Sequence, residues 1–167
     1  MNTEFVVVIL VLSLVAWVCR PRYLRVDGSQ IRVIDGDTFD LIGKAGQKLR
    51  IRCDGYDSPE IDQPGGKLVR KKMVELARQG LTLQLGAADY YGRITAMVWT
   101  KEGRLDRVMI AAGLAHHDSR SPLIRFLFTT GPRLQAKGIW KGSAFGLRTM
   151  HPKSWRRIKA HRRDGHF

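Results

Sequence analysis

The chain has 167 residues, enough for one well-buried domain and cramped for two. Its 44% hydrophobic and 26% charged residues exclude wholesale disorder. Lys and Arg number 29 against 15 Asp and Glu, a formal net charge of +14, which points to a polyanionic partner: nucleic acid first, an anionic membrane surface second.

Taken in chain order, the first element is "FVVVILVLSLVAWVC", residues 5–19, without charge and followed at once by Arg20, Arg22 and Arg25. A signal peptide carries positive charge ahead of its apolar core, whereas Glu4 stands there. The expectation is an uncleaved, single-pass membrane anchor over residues 1–25, with an atypical signal peptide and a secreted protein as the alternative. A short basic linker over about 20–28 follows.

Beyond the linker the hydrophobic period changes to two. "QIRVID" reads as a strand with Ile31 and Val33 on one face, and "DTFDLIG" as its hairpin partner through Asp35-Gly36, a dipeptide suited to positive φ. "KLRIRCDGYD" gives a third strand, with Leu49, Ile51 and Cys53 on one side and Arg50 and Arg52 on the other. "GGKLVRKKMVELARQG" is helical, because Val69, Met73, Leu76 and Ala77 recur at helical spacing. "LTLQLGA" and "RITAMVWT" are two more strands around the turn "ADYYG". "RLDRVMIAAGL" and "LIRFLFTTGPRLQAKGIW" read as helices ending near Gly113 and Gly138. The last twenty residues are basic and lack a clean apolar face, so they read as a mobile tail or a peripheral nucleic-acid or lipid contact. The predicted organisation is residues 1–25 as anchor or signal-like segment, 26–146 as the folded domain, and 147–167 as the basic tail. Five short strands with a helix after the third give an α+β fold, a small Greek-key barrel with packed helices.

Two cysteines, Cys19 and Cys53, lie in unlike settings and have no neighbours suited to zinc. The chemistry-bearing residues lie elsewhere. "DGDTFD" fails as an EF-hand loop, since its glycine is misplaced and Gly46 stands where the final carboxylate belongs. On local grounds it reads as a turn. "RCDGYDSPE" then sets Arg52 at a strand end, with Asp57, Ser58, Pro59 and Glu60 in a loop that proline stiffens. "YYGR" places Arg93 directly after a tight turn.

"IDGDT", "R-x4-D-[ST]-P-E" and "YGR", in this order and on such strands, resemble the staphylococcal nuclease (thermonuclease) family over about residues 31–140. "AAGLA" and "AKGIW" are similar to that family's later helical signatures. The resemblance implies an OB-fold five-stranded β-barrel with packed helices. It implies a calcium-dependent phosphodiesterase acting on DNA and possibly RNA with low sequence specificity, leaving 3′-phosphate ends. By position, Asp37 and Asp57 match the calcium-binding carboxylates and Ser58 a backbone-carbonyl ligand. Glu60 matches the residue that orients or deprotonates the attacking water, Arg52 and Arg93 the pair that grips the phosphate, and Tyr91 a tyrosine near the nucleotide. The chain departs from the family in a short "IDQPGGK" loop, in Tyr90 before "YGR", and in "HHDSR", to which no role is assigned.

The alternative is a catalytically silent nucleic-acid-binding module on the same barrel; a membrane-tethered domain binding anionic lipid is a third reading. The expected protein is a monomer, tethered through its N-terminal segment on the extracytoplasmic side, where calcium is more available. Of the three aspartates in "VIDGDTFDL", Asp37 is the expected ligand, Asp35 the turn former or a support behind the ligands, and Asp40 an outward strand residue with no assigned role.

Overall fold

A computed structural model describes residues 6–12, 22–119, 121–135, 137–140 and 150–163. The fold is mixed α+β, a curled sheet with helices packed against it and compatible with an OB-like fold. The strands are β1 (Tyr23–Val26), β2 (Ile31–Val33), β3 (Thr38–Ile42), β4 (Lys48–Cys53), β5 (Tyr56–Asp57), β6 (Leu81–Ala88), β7 (Ile94–Thr100), β8 (Gly103–Arg104) and β9 (His116–His117). The α-helices are α1 (Gly66–Arg78), α2 (Leu105–Ala111), α3 (Pro122–Leu134) and α4 (Pro152–Arg163).

The five strands expected from the sequence are β2, β3, β4, β6 and β7. They lie within a seven-stranded sheet of order β1-β6-β7-β4-β3-β2, with β8 added to β7, while β5 and β9 form a separate two-stranded sheet. Alternation works as expected. Phe39, Ile51, Cys53, Leu83, Ala96 and Val98 turn inward and are closed over by Val69, Met73, Leu76 and Ala77 of α1 and by Leu105 and Met109 of α2.

One pairing positions the chemistry. β4 runs parallel to β7, with Ile51 opposite Ile94 and Arg52 opposite Thr95, whereas the other pairs in this sheet are antiparallel. Parallel pairing requires a long connection, and here the β5 loop, α1 and β6 supply it. That connection brings Arg93, just ahead of β7, near the segment carrying Arg52.

The N-terminal expectation is corrected. Among the described residues, no helix is long and apolar enough to cross a membrane. The described helical stretch covers residues 6–12, roughly 10 Å of rise against a hydrocarbon core of ~30 Å. The rest of the apolar run, residues 5 and 13–19, lies outside the described residues. Tyr23–Val26, read as linker, instead forms β1 and pairs with β6 from Tyr23↔Gln84 to Val26↔Leu81.

The C-terminal reading also changes. Residues 152–163 form α4, and its first residue, Pro152, is fully buried. The expected boundary at 146/147 lies outside the described residues.

Candidate active site

The β2–β3 hairpin is aimed by contacts from two directions. Arg70 of α1 donates from Nε to the Ile34 carbonyl and from Nη2 to the Val33 carbonyl, both at 3.0 Å. Buried Tyr56 donates its hydroxyl to the Gly36 carbonyl at 2.8 Å. Gly36 is needed for space rather than for positive φ: a Cβ there would lie 2.4 Å from Val69 Cγ1 and 2.6 Å from Ser58 Oγ. The turn therefore sits directly on helix and loop, and Asp37 is pressed inward.

Asp37 is 4% exposed and fully engaged. Its Oδ2 accepts from the Ser58 backbone N–H at 2.8 Å and the Ser58 hydroxyl at 2.9 Å, and its Oδ1 accepts from Thr38 Oγ1 at 3.0 Å. Arg52 Nη1 pairs with the same Oδ1. Burial alone would raise the Asp37 carboxyl, but the Arg52 charge and the Ser58 hydrogen bonds outweigh it and hold it below the usual range. Burial likewise opposes the Arg52 charge, and Asp37 and Asp57 override it, so the guanidinium stays charged.

Arg52 also reaches Asp57, with Nη2 3.2 Å from Oδ1 and 3.2 Å from the Tyr56 carbonyl. Asp57 is completely buried, held opposite His116 by the β5–β9 pair. Its Oδ2 has no hydrogen-bond partner among the described residues. Glu60 follows on a loop clamped to the start of α1. There a Cβ on Gly66 would fall 1.9 Å from the Glu60 carbonyl oxygen, so glycine permits the approach.

These groups border a cavity of about 420 Å³. Asp35, Asp37 and Glu60 give it carboxylates, Arg50, Arg52, Arg93 and Arg156 give it guanidinium groups, and Tyr91 adds an exposed ring. Asp57 and Ser58 lie buried beneath. Arg93 is held by Asp89, Nη2 to Oδ2 at 2.7 Å and Nε to Oδ2 at 2.8 Å, and lies 5.3 Å over the Tyr91 ring.

Asp35, Asp40 and Arg156 take places beyond a turn, an outward strand position and a tail. Asp35 faces the cavity as well as making the turn; burial, reinforced by the charges of Asp37 and Glu60, pushes its carboxyl up to about 7. Asp40, expected outward, is buried and paired with Arg50 at 2.8 Å. Arg156, from the expected tail, donates from Nη2 to Asp57 Oδ1 at 2.5 Å and from Nε to Glu60 Oε1 at 2.6 Å. Lys153, Arg156 and Lys159 recur at helical spacing of three, and that basic edge is the only signal that could have pointed to it.

The donor set suits a hard divalent cation. Asp37 and Asp57 offer carboxylate oxygens, and the buried, unpartnered Asp57 Oδ2 is an acceptor whose natural complement is positive charge. Among the described residues no group of three or more His, Cys, Asp or Glu side chains is gathered for a metal. A cation here would complete its shell with backbone, water or substrate oxygens, as calcium and magnesium accept.

Known proteins resemble the chain in sequence. The chain is 25% identical over 164 residues to a protein named micrococcal nuclease from Shigella flexneri, covering 90% of this chain and 88% of that one. It is 38% identical over 93 residues to thermonuclease from Staphylococcus intermedius, covering 50% and 55%. An uncharacterized endonuclease from Haemophilus influenzae is 26% identical over 128 residues, covering 76% and 71%. Proteins named micrococcal nuclease, thermonuclease and endonuclease are thus what the chain is similar to. No family model matches it.

Proposed function

We propose that this staphylococcal-nuclease-like chain is a calcium-dependent nuclease, hydrolysing phosphodiester bonds in DNA, and in RNA as a second substrate, with little sequence preference. The observation that carries the reading is convergence. Asp37, Arg52, Glu60 and Arg93 come from four separate segments of one chain and face one cavity in a protein of formal net charge +14. The relatives named as nucleases support the same chemistry.

Hydrolysis adds an oxygen nucleophile to a phosphorus already ringed by negative oxygens, so positive charge must stand where negative charge grows. Arg52 and Arg93 provide it as planar forks that match phosphate oxygens in pairs. Each is pre-oriented by a carboxylate, Arg52 by Asp37 and Asp57 and Arg93 by Asp89. Glu60 takes the proton from the attacking water as its oxygen bonds to phosphorus, the P–O bond to the 5′ oxygen breaks, that oxygen leaves as a hydroxyl with a proton from solvent, and a 3′-phosphate remains. Asp37, Asp57 and the Ser58 carbonyl would hold calcium, which when bound supplies Lewis-acid charge stabilisation. Tyr91 offers its ring to the nucleotide.

The test uses the full chain with single-stranded DNA, in calcium and in chelator. Glu60→Gln is expected to lower cleavage by on the order of 10²–10⁴-fold, and chelation should abolish it. Wild-type cleavage no faster than that of Glu60→Gln or Asp37→Asn would overturn the enzyme reading. Salt-sensitive DNA binding retained without cleavage would instead identify a silent binding module.

A further inference from the structure

We propose that α4 is a built-in occluding strap. Arg156 occupies the Asp57–Glu60 carboxylate pair in place of a divalent cation, and the cation binds only as the arginine leaves. The proposal rests on the reading of these carboxylates as the cation-binding and water-activating groups.

The contact is specific. One guanidinium reaches both carboxylates, and it shares Asp57 Oδ1 with Arg52. A divalent ion and a guanidinium on one carboxylate oxygen need the same lone pairs and repel each other at contact distance. With Arg156 in place, Glu60 Oε1 is also taken, so a lytic water has no free approach to that oxygen. The strapped state therefore blocks the cation and the base together.

The attachment is built to release. Pro152 is buried at the start of the helix, and Gln63 Nε2 donates to the Met150 carbonyl just ahead of it. Ahead of the helix the His151 ring also lies 4.6 Å from that of His116, and the helix's own described anchors are polar: Lys153 Nζ to Asp118 Oδ1 at 2.7 Å, Trp155 Nε1 to Asp62 Oδ1 at 3.3 Å, and Lys159 to Asp62. Lys153, Arg156 and Lys159 have side chains about half exposed, at 52%, 46% and 45%. Partly exposed ion pairs of this kind are individually weak. A cation of twice the charge, seated on Asp57, can displace such a helix without disturbing the core beneath.

Calcium titration of the full chain by calorimetry tests this, because binding is read without turnover. Arg156→Ala is expected to bind calcium about three- to tenfold more tightly than wild type, the range for removing a partly exposed competitor. Arg156→Lys, which keeps the charge and loses the fork, should fall between. Lys159→Ala, which removes only an outer anchor, should tighten binding less, in the same direction. In wild type, saturating calcium should speed hydrogen exchange across residues 152–163 and leave β3 and β4 unchanged. An unaltered melting temperature in Arg156→Ala will show that the body is intact.

Equal calcium affinity in all four proteins with unchanged exchange would show α4 to be a fixed part of the fold, and the proposal would fall alone. Tightening in Arg156→Ala with Arg156→Lys equal to wild type would reduce the effect to net charge, which also overturns it. Weaker oligonucleotide binding with unaltered calcium affinity would make Arg156 a phosphate contact instead. No calcium binding in any of the proteins would remove the cation reading itself, and the strap with it.

Discussion

Two arginines reach the same oxygen of Asp57 from opposite kinds of structure. Arg52 comes from the centre of the sheet with its side chain 14% exposed, and Arg156 from α4 with its side chain 46% exposed. The first is fixed by backbone register, since Thr38↔Arg52 pairing in the β3–β4 ladder puts Asp37 beside it. The second is fixed by side-chain ion pairs and a Trp155–Asp62 hydrogen bond on a helix in which, among the described residues, Pro152 alone is fully buried. An identical chemical contact can thus be structural at one end and switchable at the other, and burial of the partner's own scaffold decides which.

The sharpest way to break that comparison is to delete each arginine in turn. Arg52→Ala takes the charge partner from buried Asp37 and leaves buried Asp57 to Arg156 alone, and should cost on the order of 3–5 kcal/mol in chemical denaturation. Arg156→Ala should cost less than about 1 kcal/mol in the same measurement. Equal costs would mean that the two contacts are alike after all.

Acid offers a second contrast. Burial raises the Asp106 carboxyl, but its bonds to Arg104, at 2.7 and 2.6 Å, and the Arg107 backbone outweigh this and hold it low. Asp62 is held low by the Lys159 hydrogen bond despite slight burial. A carboxyl lowered in the folded state gives stability that is present above its unfolded value of about 3.9 and lost as pH falls through the folded one. Asp106→Asn should therefore lose about 1 kcal/mol at pH 6, and the gap to wild type should narrow as pH falls below the unfolded carboxyl value, followed by thermal melting. Protonation of exposed Asp62 should release α4 without melting the sheet, seen as hydrogen exchange confined to residues 152–163.

The smallest expected effect is that of salt. Raising ionic strength screens half-exposed pairs far more than buried ones. Exchange in α4 should quicken between low and high salt while that in β3 and β4 does not move.

What was legible in the sequence follows the same division. Period-two and helical patterns located β2, β3, β4, β6, β7, α1 and α2 because each buries an apolar face, and α3 by the same spacing although its Leu123, Phe126, Leu127 and Phe128 lie exposed. β1 escaped because Tyr23 and Leu24 are themselves exposed, so its four residues show no inward alternation. α4 escaped because the face it turns to the body is charged, and hydrophobic periodicity cannot see a helix docked by ions. Within the site, the motif order led to Asp37, Arg52, Glu60 and Arg93, which the fold gathers at one cavity. Gly36 was read as a turn former, and its actual need, room for Val69 and Ser58, depends on a helix thirty residues away. Asp40 was read as outward, and only the strand partner Arg50 reveals why it can be buried.

The place of β1 at the sheet edge bears on how the protein can be handled. Val26 to Tyr23 cover β6 from Leu81 to Gln84. A chain trimmed to start at residue 26, which the pattern of the sequence alone would invite, strips that cover and bares a row of N–H and C=O groups beside the exposed Leu85. Uncovered edges of this kind recruit other strands. The shortened chain would keep every group of the site and yet self-associate, so light scattering, not catalysis, would register the damage first.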